Sequence, residues 1–398
     1  MKNEVAQGGA DTTVSRLNKF TLDLVTTVSG VASLRPDYER LQRNTQNTMP
    51  FTLHEWHMTW CEHFLVRNAR IEDRPLFHLI RDPSGACVGI VPLIVSTHRV
   101  GPIKIVTISL LGADPGITEI RSSLMEAGHE QIVARVVRDS LLRMRDWDWI
   151  HWTGMNGEFG KAIAEGCDIK WQEPLVDYVL DLPDTWEAFR AGLKRNIRES
   201  LRHCYNSLKR EGHAFEFEVL TEPAAVRTAL DRFVELHVMR AQLKGTVHHL
   251  DRFASPVTHA FLYAVCERLA ARGAVRLFQL KIGGEVVASR LGFVLRDSLY
   301  LYYSGFDPAW GRYAVMTTTV AEALKYAIRQ GLKTVNLTPG TDVSKTRWGP
   351  RAVEYPAAFE QRDRLFSRLA RQTYTARLGE GFSAHLISRL IQVRRNWK

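Results

Sequence analysis

Apolar and polar positions fall into two recognisable rhythms along this chain. Alternation predicts a strand over Phe20–Thr27, a hairpin of Pro75–Arg81 and Ala86–Ser96 closed by Asp82-Pro83-Ser84-Gly85, and a third strand over Lys104–Leu111. Helical spacing predicts Arg35–Arg43, Leu53–Asn68 and Leu124–Arg145, the second with Trp56, Trp60 and Phe64 on one face. That aromatic face reads as core. Trp149–Thr153 closes this half as a strand ending in Gly154.

The later half repeats the order. Helices are expected over Thr185–Glu211, Pro223–Arg240 and Ser255–Arg272, with a strand over Phe215–Leu220 between the first two. A hairpin, Val275–Ile282 and Glu285–Leu295, turns over Gly283-Gly284. A strand over Ser298–Gly305, a helix over Tyr313–Gln330 and a strand over Thr334–Leu337 follow. Each half thus runs from hairpin to third strand, helix and strand, with a right-handed βαβ crossover expected. The fold class is α/β with mixed sheets, in two tandem domains at 19–182 and 183–360. Residues 1–18 read as a mobile tail and 361–398 as a basic, amphipathic helical tail.

Composition changes this picture little. Apolar residues are 45% and charged residues 24% of the 398, ordinary values for a globular protein that exclude a disordered or collagen-like chain. No apolar run approaches the roughly 18 residues of a membrane span, and the polar start shows no signal peptide, so a cytoplasmic location is expected. Five cysteines without CxxC spacing suggest reduced thiols and no zinc site.

The net charge of +10 is concentrated. Residues 360–398 hold nine basic residues against three acids. Such a tail suits a protein partner or an anionic membrane surface at the inner face of the membrane. A second basic stretch, Ala188–Glu211, carries Arg190, Lys194, Arg195, Arg198, Arg202, Lys209 and Arg210 beside an apolar stripe of Leu193, Ile197, Leu201 and Leu208. It reads as a solvated face or as a contact for an anionic substrate. DNA is not an expected partner, because the rest of the chain is only mildly basic.

Three stretches carry candidate chemistry. The strand through Tyr302-Tyr303-Ser304 leads by Asp307-Pro308-Ala309-Trp310-Gly311-Arg312 into a helix start, where backbone N–H groups and the helix dipole favour an anion. Asn336-Leu337-Thr338-Pro339-Gly340-Thr341-Asp342-Val343-Ser344-Lys345-Thr346-Arg347-Trp348 follows a buried strand. There Lys345 and Arg347 can hold a phosphate or carboxylate, and Trp348 can be a platform or a packing anchor. His237 and Arg240 share a helix face at i, i+3, as a base and an anion guide or as a helix-end pair.

These residues, with Arg276-Leu277-Phe278, Gly284, Ala288, Gly305-Phe306-Asp307-Pro308 and Trp348-Gly349, resemble the CelD/BcsL-type acetyltransferases of the GNAT superfamily. Pro50-Phe51, Trp56, Trp60, Val88–Leu93 and Trp147-Asp148-Trp149 extend the resemblance over about residues 50–350. It implies two GNAT-like folds, as in the Fem-type aminoacyltransferases, with the first one structural. It implies acetyl-CoA or another acyl-CoA as co-substrate, no metal, and direct attack of an amine or hydroxyl on the thioester. The pyrophosphate cradle maps onto Gly311, Arg312, Tyr313, Ala314, Val315 and Met316, with Ser304 beside it. His237 is implied as a base, Tyr302 or Tyr303 as an acid, and Lys345 as a further catalytic group. Arg240, Asn336, Asp342 and Trp348 would face a small-molecule or sugar acceptor, in envelope polysaccharide biosynthesis. The alternatives are a tRNA-dependent Fem-type transferase and a non-catalytic scaffold. The chain departs from the family at Ala314-Val315-Met316, where Ser-Pro-Gly is common, at Asn336, where Asp is common, and at Ser344, where Tyr is common.

Overall fold

The computed structural model describes residues 15–17, 20–100, 103–114, 116–165, 169–243, 249–362, 364 and 367. The expected basic tail, 361–398, lies outside them apart from 361, 362, 364 and 367. The chain forms two compact units. One takes the residues up to Gln46, Phe51–Pro174 and those from Tyr355 onward; the other takes Asn47–Pro50 and Leu175–Glu354.

In the first unit the strands lie in the order Ser15–Leu17, Phe20–Val25, Ile71–Arg81, Cys87–Val100, Ile103–Leu110, Trp149–Thr153 and Arg351–Gln361. Ser15–Leu17, expected in the tail, pairs with Phe20–Leu22. Neighbours are antiparallel except Thr107–Ser109, which runs parallel to Trp149–His151. Ala357–Gln361, expected in the second domain up to Glu360 and in the tail at Gln361, pairs with Trp149–Thr153 and completes this sheet. The expected helix Leu124–Arg145 is shorter. Leu124 and Met125 pair with Ile90 and Gly89, and the helix begins only at Glu130. The Trp56, Trp60 and Phe64 face is core, and Trp60 Nε1 donates to Asp114 Oδ2 at 3.0 Å.

The second unit orders its strands as Ile169–Asp181, Thr334–Asn336, Ser298–Phe306, Glu285–Leu295, Val275–Ile282 and Phe215–Leu220. Among the described residues of this unit the pairing of Ser298–Tyr300 with Thr334–Asn336 is the parallel one, and the helix Val315–Arg329 makes the crossover. Its inner face, with Val320, Ala321, Leu324, Ala327 and Ile328, packs on Leu299, Leu301 and Val335. The expected helix Thr185–Glu211 is two, Trp186–Gly192 and Arg195–Arg210, because Leu193 and Lys194 are extended between them. Ile197, Leu201, Cys204 and Leu208 bury one stripe of the second helix. All seven basic residues of this stretch are exposed.

Both units therefore repeat hairpin, third strand, crossover helix and parallel strand. Among the described residues no helix is long and apolar enough to cross a membrane. No group of three or more His, Cys, Asp or Glu side chains among them is arranged to hold a metal.

Candidate active site

In the second unit the third strand and its parallel neighbour part early. Their register holds for Ser298↔Thr334, Leu299↔Val335 and Tyr300↔Asn336, whereas the third strand runs on to Phe306. Along its other edge, Leu301 faces Gly292 and Ser304 faces Arg290. Two residues, Tyr302 and Tyr303, thus stand opposite Leu291 alone. This is a β-bulge, a device that re-aims side chains and bends a strand. The two tyrosine rings lie 4.4 Å apart. Arg290 steadies the bulge by donating to the carbonyls of Leu301 at 3.1 Å and Tyr302 at 3.3 Å.

The helix Pro223–Ala241 crosses this strand at Gly305. A Cβ there would fall well inside 3.0 Å of His237 N and of the Leu236 carbonyl group. The missing side chain brings helix backbone onto strand backbone. His237 Nδ1–H then donates to Ser304 O at 3.1 Å, which leaves Nε2 as an acceptor for Arg252 N–H at 3.3 Å. Burial lowers the pKa of His237, which favours the neutral ring. Both nitrogens are hydrogen-bonded in this structure, and His237 links helix to strand.

Arg240 lies one turn further on. Its guanidinium donates to Ser304 Oγ at 2.6 Å and to His249 Nε2 at 3.0 Å. His249 is therefore the Nδ1–H tautomer. Burial, then the Arg240 charge, takes its pKa down to about 4.

The loop after Asn336 is built from below. Asn336 Oδ1 accepts from Thr338 N at 2.8 Å, and its Nδ2 donates to Asp177 Oδ2 at 2.5 Å. The resembling family often has a carboxylate at the position of Asn336. Here Asp177, on the adjoining antiparallel strand, brings one beside it. Asp177 is fully buried, and desolvation raises its pKa to about 6. Gly340 takes φ +117°, a left-handed conformation that favours glycine. Lys345 Nζ donates to Pro339 O and sits 3.5 Å from Asp342 Oδ2. Asp342 caps the short helix Val343–Thr346 through Ser344 N at 3.1 Å. Arg347 reaches Ser200 Oγ at 2.7 Å, tying the loop to the basic helix. Trp348, expected as a substrate platform, is 3% exposed in the core beneath the loop, so it anchors packing instead.

At the other end Asp307 caps Ala309 N at 2.9 Å, a 3₁₀ turn spans Pro308–Tyr313, and the helix starts at Val315. Ala314 sits at φ 53° and links turn to helix without a side-chain cap. Val315 is buried and turns into the core with Tyr313, so the larger side chain in place of proline is directed inward. Arg312 is not an isolated charge. It stacks over Tyr313 and shares Glu211 with it, at 3.2 Å from Arg312 and 2.5 Å from Tyr313 Oη.

The structure thus gathers His237, Arg240 and His249 around Tyr303 and Ser304 of the bulged strand, with Asn336 at the end of the parallel strand and Asp342 and Lys345 on the loop after it. Asp177 and His249 had no local signal in the sequence. The four described cysteines are buried free thiols whose pKa values burial raises, those of Cys61 and Cys87 to about 12. None of them is a ready thiolate nucleophile.

Asp177 has a consequence for stability. Its folded form keeps a proton that the unfolded chain has already lost above its ordinary value of about 4. Stability therefore falls as pH rises from about 4 through the folded value of about 6. The loss is on the order of 3 kcal/mol. Urea midpoints between these limits should show that slope in the wild type and a flatter profile in Asp177→Asn. Equal slopes would place the titration elsewhere.

Residues 195–348 match the family model described as acetyltransferase (GNAT) domain. That segment holds the whole arrangement except Asp177. Among curated proteins no sequence match was found. Several solved structures share the fold. The crystal structure of FemX is similar at 11% identity and TM-score 0.57, over 86% of this chain and 98% of that one. A conserved protein of unknown function from Bacteroides thetaiotaomicron is similar at 13% identity and TM-score 0.52, over 85% and 100%. The C-terminal domain of a putative lysylphosphatidylglycerol synthetase from Agrobacterium fabrum is similar at 12% identity and TM-score 0.50, over 86% and 96%. The fold is accordingly mixed α/β and GNAT-like, and the segment that matches the GNAT domain model lies in the second unit.

Proposed function

We propose that the protein is an acyl-CoA-dependent N- or O-acyltransferase whose acceptor is an amine or hydroxyl. The observation that carries this reading is the parting of the third strand from its parallel neighbour at Tyr300 and Asn336, with a bulge at Tyr302–Tyr303 and a helix start downstream. An extended thioester co-substrate would lie along the parted strand. Its phosphates would meet the amides of Gly311–Met316, where the helix dipole favours negative charge.

In this reading the acceptor nitrogen or oxygen attacks the thioester carbonyl. The new C–N or C–O bond forms, the C–S bond breaks, the acceptor's proton passes to solvent, and the sulfur leaves as thiolate to be protonated. Backbone N–H groups near Tyr302–Ser304 would hold the oxyanion, the usual task of preorganised donors. Tyr303, half-buried beside the bulge, is the better-placed acid for the thiolate, because Tyr302 is only 3% exposed. Lys345, held at the loop, supplies positive charge on the acceptor side. Envelope polysaccharide is kept as the acceptor class that the sequence resemblance implies.

The exposed basic face of Arg195–Arg210 favours a second reading, a Fem-type transferase that draws its group from aminoacyl-tRNA. Titration calorimetry with acetyl-CoA at low and moderate salt separates the two. The acyl-CoA reading expects micromolar binding with little salt dependence. It expects only a few-fold loss in Arg312→Ala, since Glu211 already shares that charge. Absence of acetyl-CoA binding, with aminoacyl-tRNA binding that collapses with salt, would favour the second reading.

A further inference from the structure

We infer that Arg240 is the seat of an oxyanion, a carboxylate or a phosphate, carried by the acceptor. The inference rests on the acyltransferase reading for the word acceptor; the seat itself rests on geometry.

Arg240 is partly buried at the end of the helix that Gly305 draws onto the strand. Its two hydrogen-bond partners, Ser304 Oγ and His249 Nε2, are both neutral. Among the described residues no carboxylate lies within 4.0 Å of its guanidinium. A charge taken from water in this way is normally paired. The acid that influences it is Asp342. Asp342 is already engaged by Lys345 at 3.5 Å and by Ser344. Asp251, the other nearby acid, lies 3.9 Å from His237 Nε2, so neither carboxylate is a direct partner of the Arg240 guanidinium.

Guanidinium has five N–H donors in a planar fork, which suits the paired oxygens of a carboxylate or phosphate. Ser304 and His249 fix the fork through NH1 and NH2, so little ordering is left to the ligand. His249 adds no charge but senses its neighbours. Arg240, His237 and Lys345 lower its pKa and Asp342 raises it, which places all five groups in one electrostatic neighbourhood. The seat is also beside the chemistry. Ser304 ends the bulge, and Lys345 belongs to the loop that follows the parallel strand. An acceptor clamped there by its anionic group would present its nucleophile along the parted strand.

The test uses the full chain and two probes, inorganic phosphate and acetate, at constant ionic strength balanced with chloride. The thermal midpoint is followed against probe concentration, since a ligand of the folded state raises it in a saturable way. The wild type should bind one of the two anions saturably. Arg240→Gln should weaken that binding about tenfold or more, and Arg329→Ala, at an exposed arginine outside the site, should leave it unchanged. Arg240→Lys keeps the charge and loses the fork, so it should fold and still bind several-fold more weakly. Preference for phosphate assigns a phosphorylated acceptor, and preference for acetate a carboxylated one.

Binding of neither anion, or equal binding by the wild type and Arg240→Lys, would overturn the inference. So would competition between phosphate and saturating acetyl-CoA, because the seat would then be the co-substrate's. An Arg240-dependent anion seat without acetyl-CoA binding would remove the acyl-CoA reading alone. Acetyl-CoA binding without the seat would remove this inference alone.

Discussion

Alanine at position 305 is expected to destabilise the second unit by more than about 3 kcal/mol, enough to lose the site. The added carbon would strike His237 N and the Leu236 carbonyl group, which are backbone and cannot rotate away. Relief requires the helix Pro223–Ala241 to lift from the strand. That would break the His237–Ser304 and Arg240–Ser304 hydrogen bonds together. Urea unfolding of Gly305→Ala should therefore show a sharply lowered midpoint. Gly311→Ala is the control. The nearest atom to its new carbon is Phe306 Cε2 at 3.5 Å, an ordinary contact, and its midpoint should stay close to wild type. A wild-type midpoint for Gly305→Ala would mean that helix and strand do not meet as described.

Lys345→Ala is expected to act on rate and not on folding. The side chain is 18% exposed, and its ammonium is held by Pro339 O and Asp342. Removing it leaves Asp342 with Ser344 and solvent, a cost of about 1 kcal/mol or less for a partly exposed pair. If Lys345 supplies charge on the acceptor side as proposed, its loss should cost about 100-fold or more in rate. Release of CoA thiol from acetyl-CoA, followed with phosphorylated and carboxylated amines as acceptors, would measure it. Unchanged turnover in Lys345→Ala would remove Lys345 from the chemistry and leave it a loop brace.

Much of this architecture is legible in the sequence because its signals are local. The hairpin Val275–Ile282 and Glu285–Leu295 is read from alternation around Gly283-Gly284, and the structure has those same bounds. The stripe of Ile197, Leu201 and Leu208 marks the buried side of a helix in the same way. Two long strands were not visible. Ile169–Asp181 contains Pro174 and Arg351–Gln361 contains Pro356, and proline argues against a strand when neighbours are unknown.

The site was legible in its residues and not in its contacts. Ser304, Arg240 and Lys345 stand in the three stretches that sequence reading singles out. The bulge at Tyr302–Tyr303 has no signature, because it exists only as a count against the opposite strand. Asp177 lies 159 positions from Asn336, so no spacing rule connects them. His237 looked like a base because a helix-end histidine beside arginine is ambiguous. Only the Ser304 carbonyl and Arg252 N–H reveal that both of its nitrogens are used.

The central claim is that acyl-CoA lies along the parted strand of the second unit with its phosphates at the helix start. Amide hydrogen exchange of the full chain, with and without saturating acetyl-CoA, tests it most directly. The account predicts added protection at Leu301–Phe306 and at Gly311–Thr317, with the Thr107–Leu110 strand of the first unit unchanged. Protection confined to the first unit, or no protection in either while acetyl-CoA demonstrably binds, would contradict it.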